Sequence, residues 1–189
     1  MHKLLIPFLF VAHLFAPPLS PLDHTLLDVK KSMVHITGVN YDPMSASLMP
    51  YVCTGFAVGA GVILTARHCV GGGMRVDDVP AAVIRVSSDY TDLALLAAVM
   101  ARPPLLPGPV PMLGEEVYGL GYAFGREFSQ TIEGPVMLLD ATTDEEHMAP
   151  GMFIGGQYLP GMSGGPVVNA QGEVVGMVQQ ATSGIGYGV

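Results

Sequence analysis

Residues 159–168 read Leu-Pro-Gly-Met-Ser-Gly-Gly-Pro-Val-Val and set a single serine, Ser163, among small residues. Gly161 precedes this serine, and Gly164 and Gly165 follow it, so the backbone can adopt conformations that are closed to residues with a Cβ. Such a backbone can also bring its own N–H groups close to a bound carbonyl oxygen. The stretch therefore predicts a reachable serine nucleophile for acyl transfer, and a glycine-rich turn with an ordinary surface serine is the alternative.

Two upstream segments supply the other groups that such a nucleophile needs. Residues 64–70 read Leu-Thr-Ala-Arg-His-Cys-Val, which includes His68, and residues 90–96 read Tyr-Thr-Asp-Leu-Ala-Leu-Leu, which includes Asp92. A serine hydroxyl needs an imidazole to take its proton and a carboxylate to hold that imidazole in the useful tautomer. The three residue types together favour serine catalysis over the surface-serine alternative, with Asp89 as a fallback for the carboxylate.

The same segments resemble the catalytic motifs of chymotrypsin-like serine proteases. Thr-Ala-Arg-His-Cys is similar to that family's Thr-Ala-Ala-His-Cys, Asp-Leu-Ala-Leu-Leu to its Asp-Ile-Ala-Leu-Leu, and Gly-Met-Ser-Gly-Gly-Pro to its Gly-Asn-Ser-Gly-Gly-Pro. Residues 116–125, 131–136 and 184–189 are similar in pattern to HtrA/Deg-type and other bacterial trypsin-like proteases. The resemblance extends over residues 32–189.

This resemblance implies an all-β fold of two antiparallel β-barrels, with the active site in the cleft between them. It makes Ser163 the nucleophile, His68 the general base and then acid, and Asp92 the orienting carboxylate. By position in the motif, the backbone N–H groups of Gly161 and Ser163 would form the oxyanion hole. Met162 stands where digestive trypsins have an aspartate that pairs with a newly cleaved N-terminal amine, so activation by that salt bridge is not expected.

Composition favours a compact exported domain. Half of the 189 residues are hydrophobic, which is enough for a substantial core. The formal net charge is −8 with eight Lys and Arg, so a nucleic-acid partner is not expected, because phosphate binding needs a basic face. The run Asp-Glu-Glu-His at residues 144–147 is interpreted as a solvated loop rather than a metal site, and no cofactor is expected.

The N-terminus has the parts of a secretory signal peptide. A short charged start precedes an apolar run over residues 4–15, which is too short to span a bilayer comfortably. We expect residues 1–20 to be removed on export, with Ala16 or Ser20 at the cleavage site and an uncleaved anchor as the alternative. The predicted location is secreted or periplasmic, without stable membrane insertion after removal of the signal.

Cys53 and Cys69 flank a predicted hairpin that ends at the candidate active site. Cys69 directly follows His68, so a disulfide between the cysteines would fix the histidine loop. The family resemblance implies the same pair, and closing such a loop contributes roughly 3 kcal/mol of stability in the chain-entropy estimate. Two buried free thiols in a reducing compartment are the alternative, and the spacing does not fit a zinc site.

Short runs rich in Val, Ile and Leu are broken by Gly, Pro and Asp about every ten residues, which is typical of an antiparallel sandwich or barrel. They predict strands at residues 33–39, 54–59, 61–65, 81–86, 93–97, 116–121, 131–139, 166–169 and 173–180. A hairpin turn is expected at 169–172 and a short helix at 23–32. Asp77 and Asp78 are interpreted as a solvated turn.

Residues 102–111 read Arg-Pro-Pro-Leu-Leu-Pro-Gly-Pro-Val-Pro and cannot donate a regular ladder of hydrogen bonds. We therefore expect a proline-rich linker there. It would separate an N-terminal barrel at residues 21–101, which carries His68 and Asp92, from a C-terminal barrel at 112–189, which carries Ser163.

The expected specificity follows from where charge is missing. In the resembled fold, the pocket for the residue before the scissile bond is lined here by Gln157, Gln179 and Ala181. Residues 148–189 contain one acid, Glu173, next to the predicted turn, and no Lys, Arg or His. A pocket for arginine or lysine needs a buried carboxylate, because burying that cation unpaired costs several kcal/mol. Cleavage after small or medium uncharged residues is expected, and a preference for acidic residues through His147 is the alternative.

Three functions from different classes remain open at this point. The chain could be an exported serine endopeptidase acting on protein or peptide substrates, a catalytically silent binding module that keeps the fold, or an esterase with the same acyl-enzyme chemistry. The presence of His68, Asp92 and Ser163 in one chain favours the endopeptidase. The sequence predicts no particular oligomeric state.

Overall fold

The computed structural model describes residues 18–87, 91–141, 151–182 and 185–188. Within these ranges lie one α-helix and thirteen β-strands. The helix and the strands of the first half are α1 (Pro21–Lys30), β1 (Met33–Asp42), β2 (Ser47–Gly59), β3 (Val62–Ala66), β4 (Gly72–Val76), β5 (Val79–Pro80), β6 (Ala82–Val86) and β7 (Leu93–Ala97). The strands of the second half are β8 (Glu116–Gly121), β9 (Gln130–Ala141), β10 (Gly151–Gly155), β11 (Pro166–Val168), β12 (Val174–Thr182) and β13 (Ile185–Gly188).

The first seven strands form one antiparallel sheet in the order β5-β4-β1-β2-β3-β7-β6. Alternate residues of these strands point to one side, where Val34, Ile36, Phe56, Ile63 and Leu96 are fully buried against one another. Burying these side chains is the main force that holds the sheet in its curled form, because each removes a large apolar surface from water.

The second six strands close into an antiparallel barrel in the order β10-β13-β12-β11-β8-β9. Its core contains Val117, Val136, Ile154 and Val167. The two sheets confirm the predicted all-β fold of two antiparallel barrel units. The predicted turn at 169–172 is also present, with the Gly172 N–H donating to the Asn169 carbonyl at 3.0 Å.

All nine predicted strands occur, and the predicted helix is α1. Strands β4, β5, β10 and β13 and the first half of β2 were not predicted. Strand β4 begins with two glycines, β10 is bounded by glycines, and β13 alternates isoleucine and tyrosine with glycine. Glycine has low strand propensity, so pairing with neighbours such as β1 and β12 imposes the strand conformation on these segments.

Helix α1 begins at a capping box. The Ser20 hydroxyl accepts from the Asp23 N–H at 3.1 Å, and the Asp23 carboxylate accepts from the Ser20 N–H at 2.9 Å. Val29 of this helix packs with Leu120 and Val168 of the second barrel, although the helix precedes the first sheet in sequence. The helix therefore fastens the beginning of the described chain to the far half of the molecule.

Replacing Ser20 with alanine is expected to lower the free energy of unfolding by about 1 kcal/mol, because the Asp23 N–H loses its acceptor at the helix start. Chemical unfolding of chains that retain residue 20 measures this loss. Ser20→Asp keeps a capping oxygen and serves as the control, with stability close to that of the unchanged protein. A Ser20→Ala variant as stable as this control would contradict the capping role.

The segment between the two sheets is held by both of them. The Leu105 N–H donates to the Ala57 carbonyl in β2 at 2.9 Å, and the Gly108 N–H donates to the Val174 carbonyl in β12 at 2.7 Å. The central part of the proline-rich linker expected at 102–111 is therefore docked on both sheets, and the exact boundaries of the linker stay a prediction.

The interpretation of Asp77 and Asp78 as a solvated turn is correct for the turn and for the exposed Asp78, but wrong for the solvation of Asp77. Its carboxylate accepts from the His35 N–H at 2.8 Å and from the Arg102 guanidinium at 2.6 Å. Asp77 and Asp78 do form the turn between β4 and β5, with φ values of 45° and 63°. The charge of Asp77 therefore ties the start of the linker to the first sheet.

The predicted signal peptide falls almost wholly on residues outside the described ranges. Within those ranges, no helix has the length and apolar character that crossing a membrane requires.

Candidate active site

Strand pairing brings His68 and Asp92 together although 24 positions separate them. Strands β3 and β7 are hydrogen-bonded neighbours in which Ala66 lies opposite Leu93, so the residues just beyond this pair face each other. The His68 N–H donates to one carboxylate oxygen of Asp92 at 3.0 Å, and His68 Nδ1 lies 2.7 Å from the other. Asp92 therefore holds His68 through both the backbone N–H and the imidazole ring.

This contact selects one form of the imidazole. An ionised carboxylate can only accept hydrogen bonds, so in the neutral form of the His68 imidazole the proton lies on Nδ1 and Nε2 keeps a free lone pair. The His68 side chain is 48% exposed, whereas that of Asp92 is 20% exposed. The carboxylate is thus shielded behind a ring whose accepting nitrogen is reachable. The fallback carboxylate, Asp89, lies outside the described residues.

Ser163 lies in the tight turn between β10 and β11. Gly161 and Gly164 flank it with φ values of 93° and 82°, in the left-handed region that L side chains rarely adopt. The Ser163 side chain is half-buried, and its hydroxyl donates a long hydrogen bond of 3.4 Å to the Gln179 carbonyl of β12. The sequence prediction that glycines shape this turn is therefore correct at both positions.

The backbone of Ser163 contacts the histidine loop of the other sheet. Its carbonyl accepts from the Thr54 N–H at 2.9 Å and lies 3.8 Å from Sγ of Cys69, the residue after His68. The structure thus brings the serine turn and the His68–Asp92 pair to the same boundary between the sheets. Among the described residues, no direct hydrogen bond joins the Ser163 hydroxyl to His68.

Cys53 and Cys69 are joined by a disulfide with a Cα–Cα distance of 6.0 Å, as predicted. The alternative of two free thiols is wrong. Their sulfur atoms lie close to His68, but sulfurs that are bonded to each other offer no thiolate to a metal ion. The disulfide instead fixes the loop that carries the imidazole to strand β2.

Replacing both cysteines with alanine is expected to lower the free energy of unfolding by about 3 kcal/mol, because the unfolded chain regains the freedom of a long open loop. Urea unfolding of the oxidised protein and of the double variant measures the difference. The unchanged protein in reducing buffer should lose a similar amount. Equal stability of the oxidised protein and the variant would contradict this estimate.

The three predicted pocket residues have different environments. Gln157 is exposed and follows Gly156, which has a φ of 120°. Gln179 is 2% exposed, and both polar atoms of its side-chain amide lack a hydrogen-bond partner among the described residues. Ala181 lies in β12, and its side chain falls outside the described part of the structure. Their assignment to a pocket stays a prediction, and His147 falls outside the described residues.

Two tyrosines near the serine turn have a raised pKa. Burial is the main cause at Tyr122, where the nearby Asp77 charge raises the pKa further and the Arg102 charge opposes it. Burial alone raises the pKa of Tyr158. Both phenols therefore stay protonated through the neutral range.

Sequence reasoning missed two buried threonines beside the serine turn. Thr54 and Thr65 are fully buried in strands of the first sheet, and the Thr65 hydroxyl donates to the Thr54 carbonyl at 2.7 Å. The available signal was a polar residue within each of two apolar strands, since a buried hydroxyl needs a partner. Thr54 also contacts the turn of Ser163 directly.

Comparison with known proteins extends these observations. Residues 53–177, more than half of the chain, match the family model described as a trypsin-like peptidase domain. The protein named Protease Do-like 2, chloroplastic, of Arabidopsis thaliana is 30% identical over 151 residues, which cover 70% of this chain and 25% of that protein. The "probable periplasmic serine endoprotease DegP-like" of Hahella chejuensis is 32% identical over 137 residues, covering 67% of this chain and 29% of the relative.

A third relative, a serine protease HtrA-like protein of Staphylococcus haemolyticus, is 29% identical over 136 residues, which cover 61% of this chain and 21% of the relative. The chain thus spans between 21% and 29% of the length of these curated relatives.

Solved structures agree on the fold. The active form of the Rv3671c protease from M. tuberculosis superimposes with a TM-score of 0.74 at 24% identity, covering 92% of this chain and 83% of that one. Its inactive form gives 0.73 at 22% identity, covering 92% and 91%. At these identities the likeness concerns the fold. The match of the family model over residues 53–177, together with the HtrA-type and DegP-like relatives, shows that the chain belongs to the trypsin-like serine peptidases.

Proposed function

We propose that the chain is an exported serine endopeptidase that hydrolyses peptide bonds through an acyl-enzyme intermediate. The observation that carries the proposal is the 2.7 Å contact between His68 Nδ1 and the Asp92 carboxylate beside the turn of Ser163. That contact leaves Nε2 of His68 as the acceptor that a serine nucleophile needs.

In the proposed reaction, the Ser163 hydroxyl oxygen attacks the scissile carbonyl carbon while Nε2 of His68 takes its proton. The carbonyl oxygen becomes an oxyanion, which the N–H groups of Gly161 and Ser163 stabilise. His68 then gives the proton to the leaving amine, and the C–N bond breaks. A water molecule, deprotonated by His68, attacks the ester in the same way and releases the acid and free Ser163.

The hydroxyl of Ser163 must turn towards His68 for the first step. Its present hydrogen bond to the Gln179 carbonyl is 3.4 Å long, which is at the weak end of the range. Breaking it costs little, and in free enzymes of this kind such catalytic hydrogen bonds are often long or poorly aligned before substrate arrives.

The proposed specificity is for small or medium uncharged residues before the scissile bond. Supporting it, the one acid in residues 148–189, Glu173, accepts from the Asn169 side-chain amide at 2.9 Å in the β11–β12 turn. Glu173 is thus engaged away from the predicted pocket, whose residues Gln157 and Gln179 carry no charge. A peptide library should give a profile without arginine or lysine at that position, and their dominance would contradict the pocket assignment.

Export is proposed from the signal-like residues 1–20 and from the disulfide, which suits an oxidising compartment. The printed name of the Hahella relative, which includes "periplasmic", supports the same location. Cleavage after Ala16 would leave the capping box of α1 intact, whereas cleavage after Ser20 would remove its N-cap residue. N-terminal sequencing of exported protein distinguishes the two sites.

A fluorophosphonate probe tests the proposed nucleophile. We expect the probe to label the protein once, at Ser163. We also expect the acceleration over the uncatalysed rate to be larger for fluorogenic peptides than for simple esters. Labelling without peptide cleavage would favour an esterase. Absence of labelling would favour a catalytically silent binding module.

A further inference from the structure

We propose that Thr54 is a positioning residue for the oxyanion hole: its buried hydroxyl fixes the orientation of the Gly161 peptide group from across the boundary between the two sheets. The role rests on the proposed peptidase function, because it acts on the N–H groups that would hold the oxyanion. Thr54 itself touches neither the substrate nor the nucleophile's hydroxyl.

Every hydrogen-bonding group of Thr54 is used. Its hydroxyl donates to the Gly161 carbonyl at 2.8 Å and accepts from the Tyr122 N–H at 2.9 Å. Its own N–H donates to the Ser163 carbonyl at 2.9 Å, and its carbonyl accepts from the Thr65 hydroxyl at 2.7 Å. The side chain is fully buried, so no water can take over these contacts without a local opening.

These contacts cross from one half of the molecule to the other. Thr54 belongs to β2 of the first sheet, whereas Tyr122, Gly161 and Ser163 belong to the second half. The residue before Thr54 is Cys53, whose disulfide holds Cys69 and with it the histidine loop. The same short piece of β2 thus sets both the place of the general base and the place of the oxyanion turn.

The geometry at Gly161 explains why a hydroxyl is needed at this point. The peptide group before Gly161 has its carbonyl, that of Pro160, bound by the Phe124 N–H at 2.6 Å. In a trans peptide the N–H points opposite to the C=O, so the Gly161 N–H is directed away from Phe124. The following peptide group has its carbonyl bound by Thr54. Both peptide groups around Gly161 are therefore held in one orientation.

Because residue 161 is a glycine, the hydrogen bond from the Thr54 hydroxyl to its carbonyl is needed. With φ at 93° and no Cβ, Gly161 has access to many other backbone conformations, so the hydrogen bond from Thr54 adds to the bond within the turn from the Met162 N–H to the Leu159 carbonyl at 3.1 Å. If the hydroxyl of Thr54 is removed, the Gly161 carbonyl and the Tyr122 N–H both lose a partner in a buried place. Rotation of the Gly161 carbonyl towards water then becomes favourable. This rotation misaligns the N–H groups of Gly161 and Ser163, which would bind the oxyanion.

The test compares Thr54→Val, which keeps the shape and removes the hydroxyl, with Thr54→Ser, which keeps the hydroxyl. Loss of a whole oxyanion donor costs about a hundredfold to a thousandfold in kcat, so we expect misalignment in Thr54→Val to lower kcat by about tenfold to a hundredfold. KM should stay within about twofold, because the transition state is affected more than the bound substrate. Thr54→Ser should restore kcat to within about threefold of the unchanged protein.

Thr65→Val is the matched control, since it removes a neighbouring buried threonine hydroxyl that packs near Gly164 but whose hydrogen bond goes to the Thr54 carbonyl rather than to the serine turn. We expect it to lose thermal stability as Thr54→Val does, while its kcat changes by less than about threefold. Affinity for a peptidyl aldehyde, whose adduct carries an oxyanion, should fall in Thr54→Val by the same factor as kcat/KM and stay unchanged in Thr65→Val.

All rates are divided by the concentration of active sites, titrated with the fluorophosphonate probe, so that misfolded protein does not count. If Thr54→Val does not accumulate as folded protein, Thr54→Ala takes its place with the same expectation. The proposal is overturned if the hydroxyl-free variant keeps kcat within about threefold, or if Thr54→Ser is as slow as Thr54→Val. An unchanged protein that neither binds the probe nor cleaves peptides would instead overturn the proposed function, and the role of Thr54 with it.

Discussion

Ser163→Ala is expected to lower kcat for peptide hydrolysis by about a million-fold, because the proposed triad of His68, Asp92 and Ser163 acts as a unit and the remaining groups have nothing to activate. His68→Ala should cause a loss of the same order, since the hydroxyl then has no acceptor for its proton. Asp92→Asn should be less severe, at about ten-thousand-fold, because the imidazole stays in place but in the wrong tautomer. Cleavage of a fluorogenic peptide measures all three.

The double variant of Ser163 and His68 gives a sharper test than the single ones. Because both groups act in the same step, removing either one already removes that step. The double variant should therefore be no slower than either single variant. Ser45→Ala, in the exposed turn between β1 and β2, is the control and should keep full activity. More than a few per cent of the original rate in Ser163→Ala, in a preparation free of contaminants, would show that another residue is the nucleophile.

These variants should remain folded. Among the described residues the Ser163 hydroxyl makes one hydrogen bond, which is long, so its removal is expected to change the free energy of unfolding by less than about 1 kcal/mol. Thermal unfolding of Ser163→Ala next to the unchanged protein checks this. A large loss of stability would mean that the fall in rate reports on folding rather than on chemistry.

Local patterns were sufficient where a residue's role depends on its near neighbours. The strands β3 and β7 are apolar runs of ordinary strand length, and their ends carry His68 and Asp92, so the motif and the strand prediction support each other. The glycines around Ser163 were informative because two of them adopt a positive φ. The pairing of Cys53 with Cys69 required the family resemblance in addition to the hairpin.

Roles that depend on distant partners could not be predicted. Asp77 looked like a solvated residue because its partner Arg102 lies 25 positions away. Helix α1 packs on the second barrel, a contact that its own sequence does not encode. Thr54 meets Gly161 across 107 positions, and only the approach of the two sheets makes its hydroxyl part of the serine turn. In each case the decisive contact forms only when the chain is folded.

Gly164→Ala is expected to lower the free energy of unfolding by roughly 2–5 kcal/mol, through two costs that add. A residue with a Cβ is strained at the φ of 82° by roughly 1–2 kcal/mol. The new Cβ would also lie 2.2 Å from the Thr54 carbonyl oxygen and 2.2 Å from the Thr65 hydroxyl. Such overpacking costs typically 1–3 kcal/mol, and neither atom can retreat without breaking the hydrogen bond between them.

Gly114→Ala separates the two costs, because Gly114 has nearly the same φ, 80°, and no described residue comes within 4 Å of a Cβ built there. It should lose only the strain, roughly 1–2 kcal/mol. Urea unfolding of both variants gives the difference between their losses of unfolding free energy. This difference reports how closely the serine turn packs against Thr54 and Thr65. If Gly164→Ala loses no more free energy of unfolding than Gly114→Ala, the serine turn packs less closely against the first sheet than the structure shows. The contact between Thr54 and Gly161 would then lose its support.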